Sequence, residues 1–453
     1  MKLSCKLLRL LALLLALAAV ATAQQAAAPE SEEHHLSKAE AKELFRSIDG
    51  ILQFASQRTG LPILHPVKKK LVAREEVDRY LEDRLKEQGS RERFDRSALA
   101  LKKLGLLPRD FNLRAYMLGL YEEQVEGWYD SHNKTVYLLD WIEPELQKPV
   151  MAHELVHALQ DQNFNLDRWM NVGKDSKDDS EEIALEEARA ARLAVVEGQA
   201  MIVLFDYQLR SSGQNAAGSS EATDPAKSST FDEGDDAQYD QAPIYLRESM
   251  FFPYNYGTDF VRAILAKRGR EAAFAGVFAQ PPTDTRQIMQ PESYLAGEAQ
   301  PRIDVVPIDR VLGSGWRRED LSGIGEIDLR VILRQWGGEK VAARLASFWR
   351  GGYYMALSKK NAPRDAPIAL ALVLNLASPD AAHQFAAVYE NSLATRYKSV
   401  LPARIPHQWT TEEGPVYLYV DGATVIALES FSPGDAAKVH AALMPAATAV
   451  AAH

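Results

Sequence analysis

Cysteine is almost absent from this chain: Cys5 is the only one in 453 residues. It precedes an apolar run near the N-terminus, so a chain cleaved after that run holds no disulfide and no thiolate ligand. Any metal must then be held by histidine and carboxylate. An excess of positive charge is also missing. Lys and Arg number 52 against 62 Asp and Glu, a formal net charge of −10, which argues against nucleic acid as a partner because phosphate neutralisation needs clustered cations. The N-terminal run LLALLLALAAVA falls short of the ~20 residues a bilayer-spanning helix needs. It follows Lys2, Lys6 and Arg9 and leads to Ala21-Thr22-Ala23, the pattern of a secretory signal. An uncleaved anchor is the competing reading. A lipoprotein is disfavoured because Cys5 lies before the run. We expect a signal peptide at 1–23, a linker at 24–36, a secreted or periplasmic bacterial location and no stable membrane insertion after cleavage.

The chain does contain enough apolar residues, 46 % against 25 % charged, to build more than one core. Its central feature is MAHELVHALQDQNF, residues 151–164. His153 and His157 stand at i and i+4, on one face of a helix, so both imidazoles can meet one cation while Glu154 reaches a water beside it. Two imidazoles and an open position suit one Zn(2+) ion. Pro149 fits a first helical position, and Val150, Met151, Leu155, Val156 and Leu159 supply apolar surface. The competing reading is an amphipathic helix with surface histidines.

A third ligand must come from downstream. Gln160 and Asn163 occupy the positions where a longer metzincin pattern requires glycine and histidine, and no Glu occurs between His157 and Ser180. Glutamates resume in the helical run 180–207, with Asp179 and Glu182 resembling an N-terminal capping box. Glu197 has small neighbours, Ala194, Gly198 and Ala200, which would let its helix pack closely on the helix carrying the histidines. Glu186, on the same face, is the competitor. Asp161 and Gln160 are candidates to orient a ligand imidazole. Tyr207, Tyr254 and Tyr256 are candidate donors to a developing oxyanion.

Elsewhere, 37–58, 69–86 and 92–105 carry helical spacing, and 125–140 reads as a β-hairpin running into the metal helix. His132, in its turn, is read as solvated. Residues 211–240 are rich in Gly, Ser, Asp and Ala, a composition expected of a mobile insertion. The aromatic cluster 251–257 leads into helical spacing to about 268, PPTDTRQIMQPESY reads as a capped turn and short helix, and another helix pair fills 327–348. The tail, with strands at 369–376, PVYLYV and ATVIALES and helices at 379–395 and 434–446, suggests a βαββα lobe in which His383, His407 and His440 lack ligand spacing.

HELVHALQDQNF followed by AVVEGQA resembles the gluzincin type of zinc metallopeptidase, in which a distant Glu on a second helix completes a His-His-Glu site. LGLLPRDFNL, EEQVEGWYDSHNKTVYLL, FFPYNYGTDFV, PPTDTRQIMQPESYLAGE and GEIDLR resemble, over about 40–400, a group of largely uncharacterised secreted bacterial predicted metalloproteases. The resemblance implies His153, His157 and Glu197 as ligands and Glu154 as catalytic base. Gln290 departs from it, standing where a histidine is expected.

The expected fold is therefore α+β and predominantly helical. It comprises an N-terminal helical region at 37–110, serving as shell or propeptide, a zincin-like catalytic domain with a β-hairpin edge at 111–352, and a C-terminal α+β lobe at 353–453. The expected activity is zinc-dependent hydrolysis of peptide or protein substrates. The alternative is a secreted binding or chaperone-like protein with a structural or vestigial zinc site.

Overall fold

Where the apolar positions of the first helix fall decides how the helix with the HExxH residues is buried. Helix α1 (Lys38–Thr59) starts on a capping box between Ser37 and Glu40 and stops at Gly60, whose φ of 79° suits glycine. It buries Leu44, Ile48, Ile51 and Ala55 and packs on the helix that carries the HExxH residues. The structure, a computed structural model, describes residues 35–77, 79–80, 91–117, 127–173, 176–211, 242–363 and 366–450. The signal-like segment and all but Ser211 of the expected insertion lie outside the described residues.

The stretch expected to be helical at 69–86 is corrected at its start. Lys68–Val72 forms strand β1, paired in parallel with β3 (Thr135–Leu139), which pairs antiparallel with β2 (Trp128–Asp130). Leu71 and Val72 in β1 help close the sheet over the core; helical residues follow from 74, and 81–90 lie outside the described residues. Helix α2 (Arg91–Lys103) precedes the hairpin. The sheet order β1-β3-β2 leaves β2 on an edge.

Helix α3 (Pro144–Phe164) carries the HExxH residues. It begins five residues earlier than expected: Pro144, not Pro149, occupies the first turn, and Pro149 lies inside the helix. Residues 150–161 are all buried, so α3 is a core helix surrounded on every side. Helix α4 (Asp179–Ser211) lies across it. The N-cap of α4 is Asp178, one residue before the expected Asp179, since Asp178 Oδ1 accepts from Glu181 N at 2.9 Å. The expected box fails because Asp179 pairs with Arg318 and Glu182 with Arg189.

Helix α5 (Ile244–Glu271) includes the aromatic cluster and Pro253 within it and breaks at Gly269. Two short helices, α6 (Thr285–Met289), capped by Asp284, and α7 (Pro291–Leu295), occupy the PPTDTRQIMQPESY stretch. Glu187 Oε2 accepts from Thr285 N at 3.1 Å and Oγ1 at 2.7 Å, Thr285 Oγ1 accepts from Glu326 N at 3.0 Å, and Glu326 accepts from Gln290 Nε2 at 2.6 Å. PPTDTRQIMQPESYLAGE and GEIDLR thus meet in a buried polar hub that joins α4 to α8 (Glu326–Gly337).

The chain is mixed α+β, and its larger sheet has seven strands in the order β4-β5-β6-β10-β9-β8-β7, all paired antiparallel. The expected βαββα strands are its centre: β6 (Ala369–Leu376), β9 (Gly414–Asp421) and β10 (Thr424–Glu429). Sequence reading missed β4 (Trp316–Gly323), β5 (Trp349–Lys359), β7 (Val400–Pro402) and β8 (Gln408–Thr411). Helices α9 (Pro379–Arg396) and α10 (Pro433–Val450) pack on this sheet.

A buried ion pair fastens this sheet to the N-terminal helices. Arg396 Nη1 donates to Glu429 Oε1 at 2.8 Å and to the carbonyl of Lys103 at 3.1 Å. Tyr389 and Tyr397 hydroxyls also donate to Glu429. Replacing Arg396 with leucine strands a buried carboxylate, and urea unfolding should show a loss of about 3–5 kcal/mol. An unchanged midpoint would show that the pair is not structural.

Candidate metal centre

Three side chains of α3 and one of α4 meet in the core. His153, Glu154 and His157 lie with their ligand atoms within 4.8 Å of one another, and all three are buried. Glu197 reaches them from α4: its Oε2 stands 3.2 Å from His153 Nε2 and 3.4 Å from His157 Nε2. The two Nε2 atoms are 3.0 Å apart. Bonds of about 2.1 Å to a tetrahedral zinc ion put neighbouring donors about 3.4 Å apart. The donor spacing and the chemistry of the set, two imidazole nitrogens and one carboxylate oxygen, fit such an ion.

The surroundings fix one imidazole firmly. His157 Nδ1 faces Gln160 Oε1 at 2.9 Å. A proton on Nδ1 donated to this carbonyl leaves the Nε2 lone pair turned to the cluster. Gln160 Nε2 donates to Val196 O at 3.1 Å and to Gln199 Oε1 at 2.8 Å, and Gln199 Nε2 donates to Ala273 O at 2.6 Å. Ala273 belongs to a π-helical turn, Ala272–Gly276, after α5. The two glutamines therefore tie the His157 ring to α4 and to that turn. His153 lacks the equivalent support: its Nδ1 is buried without a hydrogen-bond partner among the described residues.

Electrostatics separate the two histidines. Burial holds His153 down at about 4 despite the Glu197 carboxylate beside it, so its ring is neutral. Burial also works against charge on His157, but the Glu197 and Glu154 carboxylates overrule it and raise the group to about 9. Burial opposes ionisation of Glu197, yet the charge of His157 and hydrogen bonds from both histidines hold it below the usual range. Burial pushes Glu154 up to about 8, against the pull of His157 and a hydrogen bond from Tyr129 N at 2.7 Å.

The other candidates divide. Glu186, eleven residues before Glu197 and about 16 Å away along α4, accepts from Gly323 N at 3.1 Å where α4 meets β4. Gln160 orients His157. Asp161 does not: it accepts from Tyr129 Oη at 2.7 Å, Lys134 Nζ at 2.6 Å and Leu166 N at 3.1 Å. The ring of Tyr254 packs 6.3 Å from that of His153. Tyr207 packs edge-on against Phe54, and Tyr256 packs on Phe252. His132 is exposed, as expected. The Tyr129 amide and Gln199 were not foreseen; the first is backbone chemistry, and the second is set by a contact 74 residues away in the chain.

The small residues beside Glu197 serve a different contact from the expected one. A Cβ on Gly198 would lie 2.2 Å from the backbone carbonyl of Gly257, and one on Gly257 would lie 2.1 Å from Ala194 O. Glycine here admits α5 against α4, backbone to backbone, instead of bringing α4 to α3. The chain matches no protein-family model, no curated protein and no solved structure.

Gly198→Ala must push α4 and α5 apart, with an expected loss of about 1–3 kcal/mol and weaker zinc binding because Glu197 moves with its helix. Chelator competition against zinc checks this, and equal affinity would separate the glycine from the site. Zinc must also displace the proton that Glu197 and Glu154 favour on His157. Its affinity should rise with pH and level off above the raised value of about 9. The same titration across pH tests the sign.

Proposed function

We propose that this chain is a zinc-dependent peptidase of the gluzincin kind, with His153, His157 and Glu197 as ligands and Glu154 as general base. The observation that carries the reading is the approach of one Glu197 oxygen to both imidazole Nε2 atoms, 3.2 and 3.4 Å away, with Glu154 beside them on the same helix. A purely structural ion has no need of such a neighbour. A zinc ion held there supplies Lewis acidity, which acidifies water and polarises a carbonyl.

Glu154 then does the proton work. Burial raises the proton affinity of its carboxyl, so a carboxylate there would accept a proton from attacking water and return it to the leaving nitrogen. Gln160 keeps His157 turned for ligation. Tyr254, the tyrosine beside His153, is the first of the three to test as oxyanion donor. The reading puts this activity on peptide or protein substrates outside the cytoplasm, a location that the signal-like sequence at 1–23 supports. No helix among the described residues is long and apolar enough to cross a membrane.

The second reading, a binding protein with a structural zinc site, draws on one fact: His153, Glu154 and Glu197 are each only 1 % exposed, so substrate access requires the site to open. Glu154→Gln separates the two. The variant should keep one zinc per chain and lose chelator-sensitive cleavage of a peptide library by a factor of a hundred or more, on the order of general-base catalysis. Undiminished cleavage would reject the mechanism. Glu197→Ala should lose zinc while Glu186→Ala keeps it; full zinc retention in the former would remove Glu197 from the ligand set.

A further inference from the structure

Asp161 and Tyr129 lie outside the ligand set, yet they fasten the hairpin to the metal helix. Tyr129, on edge strand β2, makes two bonds to α3 that differ in kind. Its amide N–H donates to Glu154 Oε2 at 2.7 Å, and its hydroxyl donates to Asp161 Oδ2 at 2.7 Å. Glu154 and Asp161 are seven residues apart, two turns on one face and about 10 Å along the axis, a span that one tyrosine bridges with the help of its two hydrogen bonds and the reach of the two acidic side chains. Lys134, in the turn of the same hairpin, donates to the same Asp161 oxygen at 2.6 Å, and the other oxygen accepts from Leu166 N at 3.1 Å. Tyr129 is 3 % and Asp161 4 % exposed, so water does not readily replace these partners. Burial and the neighbouring Asp161 raise the Tyr129 phenol far above its ordinary value, which keeps it a donor.

We infer that Asp161 is a positioning residue for Glu154, acting through Tyr129: it anchors the phenol so that the amide of the edge strand holds the Glu154 carboxylate in place. A carboxylate at 154 without that amide loses the partner that fixes its side-chain torsions and is then misaligned for proton transfer. Strand and base are thereby coupled, because the amide that holds Glu154 moves only if β2 moves. The hydroxyl of Tyr129 sets the alignment while contributing nothing to metal ligation.

The kinetic part of the test rests on the peptidase reading; the exchange part does not. In full-length protein loaded with zinc, Tyr129→Phe and Asp161→Ala should lower kcat about tenfold to a hundredfold, the loss of one hydrogen bond to a charged group, with KM and zinc content unchanged. Asp161→Asn keeps an acceptor for the phenol and should restore most of kcat. Hydrogen–deuterium exchange of a peptide spanning 127–131 should show the Tyr129 amide protected in the wild type and in Asp161→Asn, and exposed in Asp161→Ala and Tyr129→Phe, with the remaining hairpin and α3 still protected. If the wild type cleaves no peptide but the exchange pattern appears, the peptidase reading fails and the positioning of Glu154 stands. Unchanged amide protection in both disruptive variants overturns the inference, as does a parallel loss of zinc, which would mark Asp161 as merely structural.

Discussion

Four ionisable side chains are buried together between two core helices, and the rest of the site follows from the cost of keeping them there. An isolated buried charge is expensive enough that a protein neutralises it or gives it a partner. His153, Glu154, His157 and Glu197 solve this jointly. Without an ion, a proton on His157 balances the Glu197 carboxylate, which is why the first is pushed up and the second down. The same buried group could hold a metal ion. Proton and metal ion would be alternative occupants of one electrostatic arrangement, and the buried histidines and carboxylates could hold either.

Precision at such a site depends on what the helices rest against. On one side α3 carries the hairpin, whose edge strand grips Glu154 by a backbone amide. On the other, α4 presents Glu197 and is itself held against α5 by direct backbone contact at Gly198 and Gly257. Gln160 and Gln199 cross the remaining gap with hydrogen bonds and reach as far as the π-helical turn, a local distortion of the kind often found near functional residues. Farther along α4, Glu187 binds the hub made by α6 and α8. One helix thus connects the Glu197 carboxylate to the larger sheet.

How much of this was legible in the sequence depended on how local each signal is. His153, Glu154 and His157 are a contiguous pattern that needs only helical geometry to bring them together. Glu197 was legible because an acidic residue in an apolar helical run demands a partner, although the small residues flanking it face α5, a helix that sequence reading had not placed there. Strand β1 was read as helix because its lysines continue into a charged segment with helical spacing, whereas its parallel pairing with β3 is a long-range event. Strand β4 was hidden by its charges: Arg317 pairs with Glu319, and Arg318 with Asp179 and Asp309. The stretches PPTDTRQIMQPESYLAGE and GEIDLR stood out in the sequence and prove to meet at Glu187, some 15 Å along α4 from Glu197, so conspicuous sequence there reflects a buried polar junction.

The central claim concerns which atoms surround one ion. Anomalous diffraction at the zinc absorption edge, from crystals of the full-length protein grown with zinc, reads it directly. The account predicts one strong peak between α3 and α4, about 2.0–2.2 Å from His153 Nε2, His157 Nε2 and a Glu197 oxygen. A peak elsewhere, or a zinc ion that ignores Glu197, would contradict it.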